Sequence, residues 1–508
     1  MINERGDKIK PELFFGLIRA VGTDKAAFLS RLKYELSQVG YEVIEIKLSA
    51  PLDRYAQIPS KPAHLNLIKQ MDAGDKVRST AGNDAVSALS VDNIRKERSN
   101  FQPNKGRAYF LDPLKTPEEV EFFRQLYGRS FYAIGLYGGQ NNRREKLIEK
   151  LTLERTETDI VSELINRDQD GGTKWGQNVS ETFPIADVFI NADNISEIHT
   201  HTERFVQLIF GNTFETPTKS EYCMFHAKAA ALRSADLGRQ VGAVIASADA
   251  EIIAIGTNEV PVKDSGQYWV DLDSGKSAEL RKKDDPRDWA RGIDWNDHKK
   301  KELLTDLLAC LDEEDFMKWG KEKQRELVEK IFSKERPKSF KNAKFLDLIG
   351  FYRSVHAETA AIIDAARKGV STRTHNMYVT AFPCHECARH IVDAGIDQVF
   401  YIEPYPKSLA SVQYPESIMV SGEESYLGNR VLFQPFVGIA PRQYVALFTG
   451  LDRKDKSGKV IEWTPDKSRP RYFSEFKAYE SLEEERFNSI VILLKTLEKE
   501  DGTQENSH

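Results

Sequence analysis

Four cysteines in 508 residues are too few to staple a chain of this length, so a disulfide framework is excluded as the source of its stability. Cys384 and Cys387 stand three positions apart, while Cys223 and Cys310 lie far off in different surroundings. The close pair points to a metal or redox centre. A surplus of positive charge is missing as well. The formal net charge of −6 argues against a general nucleic-acid coating protein, which draws on excess Lys and Arg. No apolar run is long enough to span a bilayer, and the opening MINERGDKIK carries both charge signs without an apolar core. No secretory signal and no membrane partner are therefore expected, and the expected location is cytoplasmic. What is present, 40% hydrophobic and 30% charged residues, is the mixture of a folding chain. At this length roughly two to four domains are expected rather than one core.

Along the chain, strands and helices alternate. ELFFGLIRA, an amphipathic stretch holding Phe28, Leu29, Leu32 and Leu36, and YEVIEIKLS read as strand, helix, strand. Polar sequence from about residue 72 to 105 reads as a surface excursion or lid. GRAYFLD, PEEVEFFRQLYG and SFYAIGLYG then resume the pattern, which favours an α/β fold with a mostly parallel sheet. A helix from about residue 220 precedes a hairpin of QVGAVIAS and EIIAIGTN. Residues 262–350 form a charged insertion with two helical patterns. The expected domains are 1–215, then 216–440 carrying that insertion, then a C-terminal extension, 441–508, packed on the second domain.

The stretch His356 to Gly369, HAETAAIIDAARKG, followed by MYVTAFPCHECARHIVDAGIDQVFYIE, reads helix, strand, helix, strand. His356 and Glu358 fall in the first turn of one helix. Cys384 and Cys387 fall one turn apart at the mouth of the next, behind Pro383. One imidazole and two thiolates make three ligands for Zn²⁺ and leave a fourth position open, the pattern of a catalytic site. Glu358 is then free to move protons as general acid and base. HxE followed by PCxxC is the spacing of zinc nucleobase deaminases, and the reaction expected here is hydrolytic attack at C4 of cytosine. A redox pair would not require HAE upstream, and a structural Cys₄ site has no other cysteines at hand. His385 and His390, beside the cysteines, and His199 and His201, in IHTHTE, are read as packing or surface residues.

SADLGRQVGAVIASADAEIIAIGTNEVP followed by HAE and PCHEC resembles the deoxycytidylate deaminase branch of the cytidine deaminase fold. The resemblance implies an α/β/α domain, a sugar contact from Asn258 and a place near the phosphate for Arg239. With EPYPKSLA, FQPFVGIAPRQY and a nucleotide-kinase-like domain ahead, nearly the whole chain is similar to the anti-phage dCTP deaminases of bacteria. That family implies dCTP and dCMP as substrates, dUTP, dUMP and ammonia as products, and loss of the dCTP pool as the purpose. It further implies a homo-oligomer and leaves room for an inhibitory RNA. Lys407 joins Arg239 as a candidate for the triphosphate, and Phe382, Tyr401 and Tyr405 are candidates for the base or for core packing.

In the N-terminal P-loop kinase-like domain, GLIRAVGTDK lies between strand and helix, where a phosphate loop belongs. Its spelling departs from the consensus. Five residues separate Gly16 from Gly22, and Thr23 follows without the usual Lys. Gly16, Gly22, Thr23, Asp24 and Lys25 are the candidates for a nucleotide, with Mg²⁺, in a regulatory site. Arg143, Arg144 and Arg167 are read as solvated helix charge. Three other functions remain open: a housekeeping dCMP deaminase, a nucleotide kinase with a regulatory deaminase-like domain, and an RNA- or DNA-binding module that edits a polymer.

Overall fold

Runs such as LFFGLIR and FYAIGLY carry no polar alternation, and such runs become strands covered on both faces. The computed structural model describes residues 10–56, 63–99, 106–154, 158–263, 266–270, 272–273, 275–333, 336–340, 343–404, 408–421 and 429–504. The chain divides into two compact units, one of 1–225, 420–425 and 435–508, the other of 226–419 and 426–434.

In the first unit, β1 (Leu13–Arg19), β2 (Tyr41–Lys47), β3 (Gly106–Leu114), β4 (Phe131–Tyr137) and β5 (Val188–Asn191) form a parallel sheet in the order β5-β4-β1-β3-β2. The helices Ala26–Gln38 and Ile195–Ile209 supply Phe28, Leu32, Phe205 and Ile209 to one core of this sheet. Phe14 stacks between Tyr109 and Tyr127, with ring centroids 5.2 and 3.5 Å away.

Of the stretch 72–105 expected to be a surface excursion or lid, the described part forms the end of the helix Ala63–Ala81 and the helix Ala85–Ser99, and residues 100–105 lie outside the described residues. The second helix buries Ala85 through Val91, and Ser90 satisfies its hydroxyl on the Ser87 carbonyl at 2.6 Å.

The second unit holds a mixed sheet. It contains the antiparallel hairpin β6 (Gly242–Ala246) and β7 (Ile252–Thr257), flanked in sequence by a small ribbon of β8 (Pro261–Val262) and β9 (Gly266–Gln267). β10 (Asn376–Ala381) lies antiparallel to β6 and parallel to β11 (Gln398–Glu403), followed outward by β13 (Val431–Pro435) and β12 (Ile418–Val420). Gly242 lies opposite Thr257 and Gly256 opposite Ala243, so the two glycines face opposite sides of the hairpin. A Cβ on Gly242 would collide with the Ala227 carbonyl, and one on Gly256 with the Ala357 carbonyl. Helices therefore cover both faces, which is the α/β/α layering expected. The insertion contributes the helices Trp295–Glu313 and Lys321–Ile331.

The extension 441–508 is not packed as expected, because these residues belong to the first unit. β14 (Gly438–Ile439) adds an antiparallel edge to β5. The helix Phe476–Gln504 lays Tyr479 and Glu483 on the helix Ala85–Ser99. Arg98 binds Glu483 at 2.6 Å and Glu12 at 3.0 Å, and Tyr479 Oη donates to Glu12 at 2.9 Å. This buried ionic cluster draws the end of the chain to the start of β1, a link no local pattern announces. Among the described residues no helix is long and apolar enough to cross a membrane.

Candidate metal centre and active-site pocket

The helix Ala357–Lys368 begins at His356, its N-cap, and ends at Gly369, whose φ of 70° suits a residue without a side chain. Because Gly256 has no Cβ, the first turn of this helix rests directly on β7, which sets the depth of His356 and Glu358. β10 delivers the opposite half of the centre. After Ala381 the chain turns through Pro383 into the helix His385–Asp393, and Cys384 caps it, its Sγ accepting the Cys387 N–H at 3.5 Å.

His356 Nδ1 lies 3.3 Å from Cys384 Sγ and 3.4 Å from Cys387 Sγ. Among the described residues this is the one group of three His, Cys, Asp or Glu side chains with its ligand atoms close enough to share a metal, all within 4.8 Å of one another. A tetrahedral ion with Zn–S of about 2.3 Å and Zn–N of about 2.0 Å holds nitrogen and sulfur about 3.5 Å apart, so the three donors fit Zn²⁺. Thr359, a residue the sequence reading passed over, places its Oγ1 3.6 Å from Cys387 Sγ.

The electrostatics separate the roles. Hydrogen bonding from Cys387, then from His356, brings the Cys384 thiol down to about 4 despite its burial, while the same bond and burial push Cys387 well up. Burial pulls His356 down, but Cys384 and the Glu358 charge outweigh it and carry it up to about 9. Burial, aided by the Cys384 charge, raises Glu358 to about 6. A carboxyl poised there can both accept and return a proton near neutral pH.

His356, Glu358 and Cys384 line a cavity of about 400 Å³ with Arg239, Asn258 and Phe382. Asn258 is buried and already serves the backbone: its Oδ1 accepts Val241 N–H at 2.7 Å and its Nδ2 donates to Arg239 O at 2.6 Å. Any sugar contact uses its remaining valences. Arg239, half exposed at the rim, pairs with Glu403. Tyr401 is buried behind Phe382, their ring centroids 4.8 Å apart. Lys407 and Tyr405 lie outside the described residues. Sequence reasoning missed Asn296, Lys300 and Leu346 to Ile349, which line the same cavity from within the insertion.

In the first unit the loop candidates separate. Gly16 is not in the loop: it sits inside β1 between β3 and β4, where a Cβ would meet Leu114 at 2.5 Å and Phe131 at 2.8 Å. It is a packing glycine, not part of a phosphate cradle. Gly22, with φ of 86°, turns the chain against the Arg143 carbonyl. Asp24 accepts the Ala26 N–H at 2.9 Å, and Lys25 pairs with Asp112 at 2.8 Å. Arg143 is 7% exposed rather than solvated, and burial holds its pKa down. Its Nε and Nη1, like the Thr23 hydroxyl, have no hydrogen-bond partner among the described residues. Arg144 instead donates to Ser162 at 3.1 Å, and Arg167 pairs with Asp72 at 2.7 Å.

Residues 217–403 match the family model of the cytidine and deoxycytidylate deaminase zinc-binding region. ComE operon protein 2 of Bacillus subtilis (strain 168) is 31% identical over 99 residues, 20% of this chain and 50% of that protein. The deoxycytidylate deaminase of Enterobacteria phage T4 is 46% identical over 54 residues, 11% of this chain and 28% of its own. The chain thus spans half or less of the length of these curated relatives. A UPF0200 protein of Saccharolobus islandicus (strain Y.G.57.14) is 25% identical over 192 residues, 38% of this chain and 90% of that protein. Among solved structures, the dCMP deaminase of cyanophage S-TIM5 in complex with dCMP and dUMP covers 43% of this chain and 98% of its own, at 16% identity and a TM-score of 0.22. The C-terminal region carries a cytidine and deoxycytidylate deaminase domain. Over its N-terminal part the chain is homologous to the UPF0200 proteins.

Proposed function

We propose that this chain is a zinc-dependent hydrolase of free deoxycytidine nucleotides, converting dCTP to dUTP and dCMP to dUMP with release of ammonia. The convergence of His356, Cys384 and Cys387 beside the buried Glu358, at the wall of one cavity, carries this reading. His356, Cys384 and Cys387 would hold the ion. A bound Zn²⁺ supplies Lewis acidity, lowering the pKa of water from about 16 to about 7. Glu358 takes a proton from the attacking water, passes it to ring N3 as C4 becomes tetrahedral, and assists departure of ammonia. Phe382 offers the base an apolar wall, and Asn258 and Arg239 meet the sugar and phosphate. Depletion of dCTP then serves anti-phage defence, a purpose resting on the resemblance, as do self-association and control by an inhibitory RNA. Incubation of the purified protein with each cytosine nucleotide, followed by chromatography, tests the chemistry. Uridine nucleotides should form and chelation should stop their formation. Intact dCTP and dCMP would overturn the reading.

The N-terminal loop supports a second reading, a regulatory site for a nucleotide phosphate with Mg²⁺. Its carrying observation is Arg143, a buried guanidinium without an ion-pair partner among the described residues, beside the unpartnered Thr23 hydroxyl. ATP with Mg²⁺ should raise the melting temperature of the wild type and leave Arg143→Ala unmoved. An equal rise in both would exclude the site.

A further inference from the structure

The charged insertion builds one wall of the active-site cavity. Leu346 to Ile349 and Tyr352 line that cavity together with Asp236, Gly238, Arg239, Val241, His356 and Glu358. This wall is fixed at several points. Asn296, 1% exposed on the insertion helix Trp295–Glu313, donates from Nδ2 to Leu348 O at 3.0 Å and accepts the Phe351 N–H at 3.3 Å. One turn later Lys300, 7% exposed, donates from Nζ to Leu346 O at 3.0 Å. Arg353 donates to Pro286 O at 3.0 Å and pairs with Asp288. Val355 exchanges backbone hydrogen bonds with Glu259, 3.0 Å in one direction and 3.3 Å in the other. Tyr352 then sets its ring edge-on to His356, centroids 5.8 Å apart.

A buried amide that satisfies a carbonyl and an N–H of the same loop ties that loop to its helix at two points and stiffens it. Leu346, Leu348, Ile349 and Tyr352 give this wall an apolar lining, with Asp347 and Lys300 the charged side chains on it. Enzymes that act on a strand need an open groove for the nucleotides on either side of the target base, lined with cations and stacking aromatics.

We propose that the insertion is a size filter: Asn296 and Lys300 hold residues 346–352 as a rigid wall that admits one free nucleotide and bars a polynucleotide strand. The proposal rests on the deaminase reading and assigns the substrate class of that site to two positioning residues outside the metal centre. No step of the chemistry is assigned to either.

The test compares wild type, Asn296→Ala with Lys300→Ala, and the conservative Lys300→Arg. Each is assayed on dCMP, on dCTP and on a short single-stranded DNA with a single cytosine, with bound zinc measured in each. Wild type should deaminate the nucleotides and leave the DNA intact. In the double variant KM should rise about tenfold, the equivalent of one or two lost hydrogen bonds, with kcat and zinc content little changed. The DNA should become a substrate, and limited proteolysis should cut within 343–352 faster than in wild type. Lys300→Arg should behave as wild type. Unchanged KM and unchanged proteolysis in the double variant, or wild-type attack on the DNA, would overturn the filter. Loss of zinc in the double variant would equally overturn it, by giving these residues a role in the fold of the centre. Absence of wild-type activity on every nucleotide would instead remove the deaminase reading, and the proteolysis would still judge the wall.

Discussion

The metal centre and the N-terminal loop are both places where a strand hands over to a helix, yet they treat their polar groups in opposite ways. At the metal centre three donors face one point, with hydrogen bonds mainly to one another. At the loop the charges are consumed inside the fold. Arg19 and Lys25 share Asp112, each at 2.8 Å, while Lys115 and the Val21 N–H share Asp168, at 2.5 and 2.7 Å. Among the described residues there, Arg143 and Thr23 keep buried side-chain polar atoms without a hydrogen-bond partner. Donors pointed at each other without closing their own valences are prepared for a ligand, whereas charges cancelled in pairs are prepared for stability. The first region gathers its donors at one point, and the second closes most of its charges on one another.

The largest break in this comparison would come from Glu358→Gln. Removing the proton carrier while keeping its volume should lower kcat about a thousandfold with bound zinc unchanged, as chromatographic assay and metal analysis would show. Activity within tenfold of wild type would return Glu358 to the status of a packing residue. Next in size is Arg98→Ala, which strands the buried carboxylates of Glu12 and Glu483 and should cost about 3 kcal/mol in urea unfolding.

Asp112→Asn sharpens the loop side. Burial raises the Asp112 carboxyl, but Arg19 and Lys25 outweigh it and hold it below its ordinary range. A carboxyl lowered in the folded state contributes stability that is full above its unfolded pKa and is lost as the pH falls through the folded value. Wild type should therefore lose melting temperature on acidification below about pH 4, and the variant should lose less over that window. Parallel curves would assign the acid sensitivity elsewhere. The smallest effect belongs to Arg239→Ala, where KM for dCTP should rise about threefold. The side chain is half exposed, and such a charge contributes little through solvent.

How much of this was legible in the sequence follows from the range of each interaction. The His356, Cys384 and Cys387 cluster was legible because two helix starts and one strand fix it within a short span. The hairpin of QVGAVIAS and EIIAIGTN was legible from local pattern as well. Gly16 misled because a glycine required by Leu114 and Phe131 is spelled like a glycine required by a phosphate. The helix Ala85–Ser99 was hidden by composition, since Ser87 and Ser90, buried on it, are of a residue type that also marks loops. Arg143 misled because charge on a helix usually means solvent. The wall of residues 346–352 has no local signature at all, and its anchors Asn296 and Lys300 lie about fifty positions upstream in a run that reads as solvated charge.

One feature of the first unit bears on how the chain is made. Strand β14 and the helix carrying Tyr479 and Glu483 belong to a sheet whose other strands are complete by Asn191. A ribosome must therefore finish the whole deaminase unit before it releases the residues that close the first. Until then Glu12 and Arg98 have each other but lack Glu483 and Tyr479, and the edge of β5 is unpaired. A product truncated after residue 434 would therefore hold every residue of the second unit and leave the first without the strand and helix that close it.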